Sequence, residues 1–139
     1  MRVVLDTNLL ISLALSPEGR VARIRKHLAA ERFSTVSSPQ ILDEYARALR
    51  YPRVAARHKL SGEQLDELIF LFAQEVVEPD AVVPICRDAG DDKFFAAALA
   101  GRVEYIVSDD PDLHDVGTYE GIRVISSGAF LAILEQEGA

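Results

Sequence analysis

Apolar positions recur along this chain in two rhythms, short runs of β-formers and longer three-four repeats, and the two alternate. Arg2 to Leu5 predicts a strand apolar on both faces, as a parallel sheet requires. Asn8 to Leu15 predicts a short helix ended by "SPEG", and Gly19 to Ala30 a second, with Val21, Ile24 and Leu28 at helical spacing. Phe33 to Val36 predicts another strand. Ser38 then caps, and Pro39 opens, a helix whose stripe is Ile41, Leu42, Tyr45, Ala46 and Leu49. Pro52 ends it, and a short helix through about Arg57 follows. Ser61 and Gln64 form a capping box for a long helix striped by Leu65, Leu68, Ile69, Phe72 and Val76. Ala81 to Ile85 reads as an extended segment or weak strand, limited by Pro84. A small apolar helix in "KFFAAALAG" is closed by Gly101. Val103 to Ser108 and Ile122 to Ser126 predict two more strands, and Ser127 caps a last helix through about Glu135. The alternation predicts an α/β fold: a mainly parallel sheet flanked by helices, in one domain over residues 1–139.

Composition narrows the class. With 49% hydrophobic and 27% charged residues the chain can bury a core and is no disordered tail. Its apolar runs are too short to span a bilayer, and Asp6 interrupts any signal-peptide core. Cys86 is the one cysteine, which excludes an internal disulfide and a thiolate zinc cluster and fits a cytoplasmic location. The net charge of −7 disguises a segregation. Residues 19–60 hold ten lysines or arginines against three acids, a surplus of +7, whereas residues 61–139 hold four against seventeen, a deficit of −13. Such asymmetry predicts one face that attracts a polyanion and one site that attracts cations.

The acids fall at telling places. In parallel α/β sheets the reactive groups sit beyond the carboxyl ends of strands. Asp6 follows the first predicted strand, and Asp109 and Asp110 follow the strand in "YIVS". Glu44 lies within the helix after the second strand, and the Asp91–Asp92 pair opens the alanine-rich helix. Singly, each has an ordinary explanation as strand terminator, solvated helix residue, helix cap or turn former. Together they resemble a shared site, because crowded carboxylates raise one another's pKa unless a cation neutralises them. Oxygen ligands without Cys or a His pair suit Mg2+ or Mn2+, one ion or two. Ions in such clusters serve phosphoryl chemistry by activating water and offsetting charge on the leaving oxygen.

The stretches "VVLDTNLLIS", "PQILDEYARAL", "DAGDDKFFAAALAG" and "YIVSDDPDL", in this order, resemble the PIN-domain ribonucleases. The likeness covers nearly the whole chain and is nearest to the prokaryotic, VapC-like branch of toxin components of toxin–antitoxin pairs. It implies a PIN-like (RNase H-like) three-layer sandwich and a metal-dependent endoribonuclease. Asp6 matches the family's first acid and Asn8 its polar neighbour. Glu44 matches the helix acid, Asp92 the acid before the hydrophobic pair, and Ser108 with Asp110 the last motif. Asp91 and Asp109 are the alternates where acids double, and Asp88 and Asp112 read as turn residues or as supports behind the ligands. The resemblance further implies an RNA substrate, a small antitoxin protein as partner, and pairing into a homodimer.

The stretch "ARALRYPRVAARHKL" carries Arg47, Arg50, Arg53, Arg57 and Lys59 and no acid. Beside a metal cluster it would hold RNA phosphates without reading sequence, and Tyr51 could stack on a base. Arg20, Arg23, Arg25 and Lys26 form a second basic surface. Two alternatives stand beside the nuclease. One is a partner-binding PIN module without activity of its own, for which the Leu65–Val76 stripe would serve as a docking face. The other is a haloacid-dehalogenase-like phosphatase suggested by "VVLDTN"; that chemistry wants a second Asp where Asn8 stands.

Overall fold

In the computed structural model, residues 1–16, 18–80, 84–86 and 88–137 are described. Among these residues six strands form one sheet in the order β3-β2-β1-β4-β6-β5. The strands are β1 (Arg2–Leu5), β2 (Ser34–Ser37), β3 (Glu75–Val76), β4 (Tyr105–Val107), β5 (Thr118–Tyr119) and β6 (Ile122–Ile125). All pairings are parallel except β5 with β6. The helices between them are α1 (Thr7–Leu15), α2 (Arg20–Ala29), α3 (Pro39–Arg50), α4 (Pro52–His58), α5 (Gly62–Phe72), α6 (Asp92–Gly101), α7 (Pro111–Val116) and α8 (Ser127–Glu137). This is the mainly parallel, helix-flanked α/β sheet that the apolar rhythm predicts.

The order places the site. From β1 the chain moves outward to β2 and β3, then returns through α6 to lay β4 on the other side of β1. That reversal makes a crevice beyond the carboxyl ends of β1 and β4, where α/β sheets bind ligands. Val3, Val4, Leu5, Ile106 and Val107 are buried, so the two central strands are locked in register by apolar packing on both faces. Leu5 pairs with Val107, and the ladder continues as the Asp6 N–H donates to the Val107 carbonyl at 3.0 Å. Asp6 and Ser108 therefore emerge side by side, 102 residues apart in sequence.

Local signals act as expected at several element starts. The Ser38 hydroxyl accepts from the Ile41 N–H with Pro39 in the first turn of α3, and Ser61 and Gln64 complete a reciprocal capping box on α5. Beneath α3, Tyr45 is fully buried and its hydroxyl donates to the Leu5 carbonyl, fastening the helix to the end of β1.

Several elements differ from the sequence reading. The α5 helix stops at Phe72, and Val76 leaves the stripe to enter β3, where it is 47% exposed. The cause is tertiary: Thr35 of β2 binds the Gln74 side chain and backbone and the Leu71 carbonyl, drawing the chain into parallel pairing. Gly101 is the last residue of α6, and the left-handed cap is Arg102 at φ 52°. Glycine is needed at 101 for another reason, since a Cβ there would lie 2.6 Å from Val36 Cγ1 on β2. Ser126, not Ser127, caps α8, accepting from the Ala129 N–H at 3.0 Å. The "DDPD" turn is the entry to α7, and the two-residue β5 is too short to leave a periodic signal in the sequence. Of the extended Ala81–Ile85 segment, residues 81–83 lie outside the described residues.

Candidate active site

Asp6, Glu44, Asp91 and Asp110 line one cavity of about 320 Å³, together with Thr7, Asn8, Arg47 and Tyr51. The acids arrive from four places: the end of β1, the middle of α3, the 3-10 turn before α6, and the loop after β4. Ser108 joins two of them. Its fully buried hydroxyl donates to Asp6 Oδ2 at 2.6 Å and accepts from the Asp110 N–H at 2.9 Å. Asp110 Oδ1 in turn accepts from the Asp112 N–H at 2.9 Å and so caps α7, while His114 Nε2 hydrogen-bonds the Ser108 carbonyl. Asn8 is exposed at the cavity mouth.

Electrostatics mark the cluster. Burial pushes the Asp6 carboxyl above its ordinary value; the Ser108 hydroxyl and Asn8 N–H oppose this, and the Asp110 and Glu44 charges reinforce it. Asp91 is pushed up to about 6, by burial first and then by the charges of Asp110, Asp88, Asp6 and Glu44. The Tyr45 hydroxyl beneath is raised well above its usual range by burial and by Asp6 and Glu44. Like charges are thus crowded in a half-buried hollow, the condition that a bound cation relieves.

Geometry sets the doubled acids apart. Asp92, expected from the motif to join the cluster, turns away from it: Oδ1 accepts the N–H groups of Ile85 at 3.1 Å and Cys86 at 2.7 Å. Burial works against its ionisation, yet these backbone donors hold its carboxyl below the ordinary value. Asp91, its alternate, faces the cavity instead. Asp109 does not face it; its carboxylate accepts from the Ser127 N–H at 2.9 Å and the Ser127 hydroxyl at 2.7 Å, tying the β4 loop to α8. Asp88 caps the 3-10 turn by accepting from the Gly90 N–H.

Two neighbours escaped the sequence reading although both lie inside quoted motifs. Lys93 Nζ pairs with Glu44 Oε1 at 2.6 Å, and the Thr7 hydroxyl donates to Glu44 Oε2. With Asp6 on Ser108 and Glu44 on Lys93 and Thr7, no three acidic, histidine or cysteine groups among the described residues converge on one ion-sized point. The donor set nevertheless suits a divalent ion. It is oxygen-only, four carboxylates line one hollow, two of them are raised by burial and further by the others' charge, and Lys93 pairs with one of the four. An ion would compete with Lys93 for Glu44.

The basic stretch adjoins this cavity. Arg47 forms part of its wall, Arg50 lines the neighbouring pocket, and Arg53, Arg57 and Lys59 are exposed on and just after α4. Of the second basic surface, Arg23 pairs with Glu135, and Arg20 donates to the Ser127 hydroxyl at 3.4 Å. No helix among the described residues is long and apolar enough to cross a membrane.

A family model described as PIN domain matches residues 2–112, from the first strand through the acidic loop after β4. The chain belongs to the PIN-domain family. PIN domains are generally nucleases, usually metal-dependent, and act on nucleic acid. The chain is also similar to an uncharacterised protein of Methanocaldococcus jannaschii, 28% identical over 116 residues that cover 81% of this chain and 73% of the relative. No solved structure is significantly similar to it.

Proposed function

We propose that this PIN domain is a Mg2+- or Mn2+-dependent endoribonuclease that hydrolyses single-stranded or loop RNA. The observation that carries the reading is the convergence of Asp6, Glu44, Asp91 and Asp110 from four separate segments on one cavity whose wall includes Arg47. Those four acids would hold the metal, with Asp91 in the role that the motif alone assigns to Asp92. A bound divalent ion supplies an activated water and offsets negative charge at the scissile phosphate. Ser108 orients Asp6 through its hydroxyl, and through the same atom it fixes the backbone of Asp110. Asn8, exposed among the residues that line the cavity, would orient a ligand or a water there. Arg47, Arg50, Arg53, Arg57 and Lys59 form the approach for the RNA backbone and offset the chain's net negative charge locally.

The test is cleavage of an unstructured labelled RNA with Mn2+ or Mg2+ and with chelator. Asp6→Asn is expected to abolish cleavage while leaving the far-UV spectrum and cooperative unfolding intact. Full activity in purified Asp6→Asn overturns the assignment. The biological part of the reading, supported by the motif likeness, is that the chain is the toxin of a toxin–antitoxin pair and works as a homodimer in the cytoplasm. Co-purification with a small protein encoded beside it supports that role, and its absence counts against it; sedimentation reads the pairing.

A further inference from the structure

Next to the acid cavity lies a second pocket of about 500 Å³, and the two share Arg47 and Tyr51 as a common wall. Its volume falls within the roughly 300–1,000 Å³ of small-molecule sites. Ala46, Pro52 and Ile69 supply apolar lining, and Arg47, Arg50 and Asp66 supply charged lining. Arg50 and Asp66 face each other there at 3.9 Å, one offering donors and the other acceptors.

Helical spacing explains the arrangement. Glu44, Arg47 with Ala48, and Tyr51 stand one turn apart on α3, so an acid, a cation and an aromatic ring follow one another along about 10 Å of helix face. Pro52 excludes the helical conformation at Tyr51, which sits at φ −57°, ψ 135° and ends α3. Its carbonyl accepts from the Val54 and Ala55 N–H groups at 2.9 and 2.8 Å, so the backbone is pinned at the start of α4. Tyr51 is left 61% exposed between the two cavities. An exposed, backbone-fixed aromatic beside a cation is the chemistry of a base-stacking platform, and the donors of Arg50 and acceptors of Asp66 suit a base edge.

We propose that this pocket seats an unpaired nucleobase of the RNA strand whose phosphate lies in the acid cavity, with Tyr51 as the stacking surface. The inference rests on the nuclease reading and names a base subsite for it. Continuity of the two cavities through Arg47, whose Nε pairs with the exposed Asp43 at 2.9 Å in a solvent-exposed contact that a phosphate can replace, favours a nucleotide over a protein side chain as occupant.

The experiment uses the full chain carrying Asp6→Asn, so that RNA stays intact, and measures fluorescence anisotropy of a short unstructured RNA. Tyr51→Ala should weaken binding roughly 5- to 150-fold, as the loss of one base–aromatic stack does, and Tyr51→Phe should stay within about twofold. Moving a single abasic site along the RNA should find one position where removing the base weakens binding to the Tyr51 protein and not to Tyr51→Ala. Equal binding by Tyr51→Ala, or an abasic effect that persists in it, overturns the proposal and leaves the pocket to a protein partner. No detectable RNA binding by the Tyr51 protein overturns it also. Cleavage by the protein with Asp6 intact reads the parent hypothesis separately: Tyr51-dependent, base-dependent binding without metal-dependent cleavage sinks the nuclease reading and keeps the subsite, and cleavage without Tyr51 dependence does the reverse.

Discussion

Replacing Asp91 with Asn tests whether the acid cavity holds uncompensated charge. In the metal-free protein this carboxyl is pushed from 3.8 to about 6 by burial and by Asp110, Asp88, Asp6 and Glu44. At about 1.4 kcal/mol per tenfold change in proton affinity the full shift corresponds to about 3 kcal/mol. Asp91 is partly exposed, and solvent screening brings this to about 1 kcal/mol. Between pH 4 and 6 the native chain keeps a proton on Asp91 that the unfolded chain has released. Raising the pH therefore favours unfolding through that window, and above about 6 the destabilisation is complete. Asp91→Asn carries no charge there. In chelator at pH 7 the variant should unfold roughly 3–5 °C higher, with a flatter stability profile between pH 4 and 6. On the proposed metal site, Mn2+ should raise the melting temperature of the unsubstituted protein more than that of the variant, because the variant would lack one anionic ligand. Scanning calorimetry across pH, with and without Mn2+, measures all of this. An unchanged or lower melting temperature in chelator, with the pH slope intact, would refute the crowded-carboxylate account.

The remaining expectations separate structural acids from the cluster. Asp92→Ala leaves the Ile85 and Cys86 N–H groups without their acceptor and should destabilise by about 2–4 kcal/mol in urea titrations, with Asp92→Asn milder. An unaltered midpoint for Asp92→Ala would mean that those bonds carry no weight. Asp109→Ala removes two acceptances from Ser127 at the start of α8 and should lose about 0.5–2 kcal/mol, while metal-dependent cleavage in the native state persists. Loss of cleavage in a still-folded Asp109→Ala would return that residue to the metal site. Gly101→Ala puts a methyl 2.6 Å from Val36 Cγ1 and should cost about 1–3 kcal/mol. A double-mutant cycle with Val36→Ala should recover part of that, and strict additivity would deny the clash.

Much of this fold is written in local chemistry. The Val3–Val4 pair in a short apolar run makes β1, Ser38 and Pro39 start α3, and Ser61 with Gln64 starts α5, because caps and periodicity act over one or two turns. The ordered acids likewise pointed to the carboxyl ends of β1 and β4, since strand ends are legible wherever an apolar run stops. Contacts between distant segments decided the rest. Asp91 and Asp92 are the same residue type in adjacent positions, and only the 3-10 turn and the amides of residues 85 and 86 determine which carboxylate faces the cavity. Asp109 is claimed by Ser127 of α8, Val76 by pairing with β2, and Glu44 by Lys93 from the start of α6. Each of those outcomes depends on which partner arrives across the fold. A side chain's neighbours in sequence limit its backbone, whereas its neighbours in space decide where its charge and hydrogen bonds go.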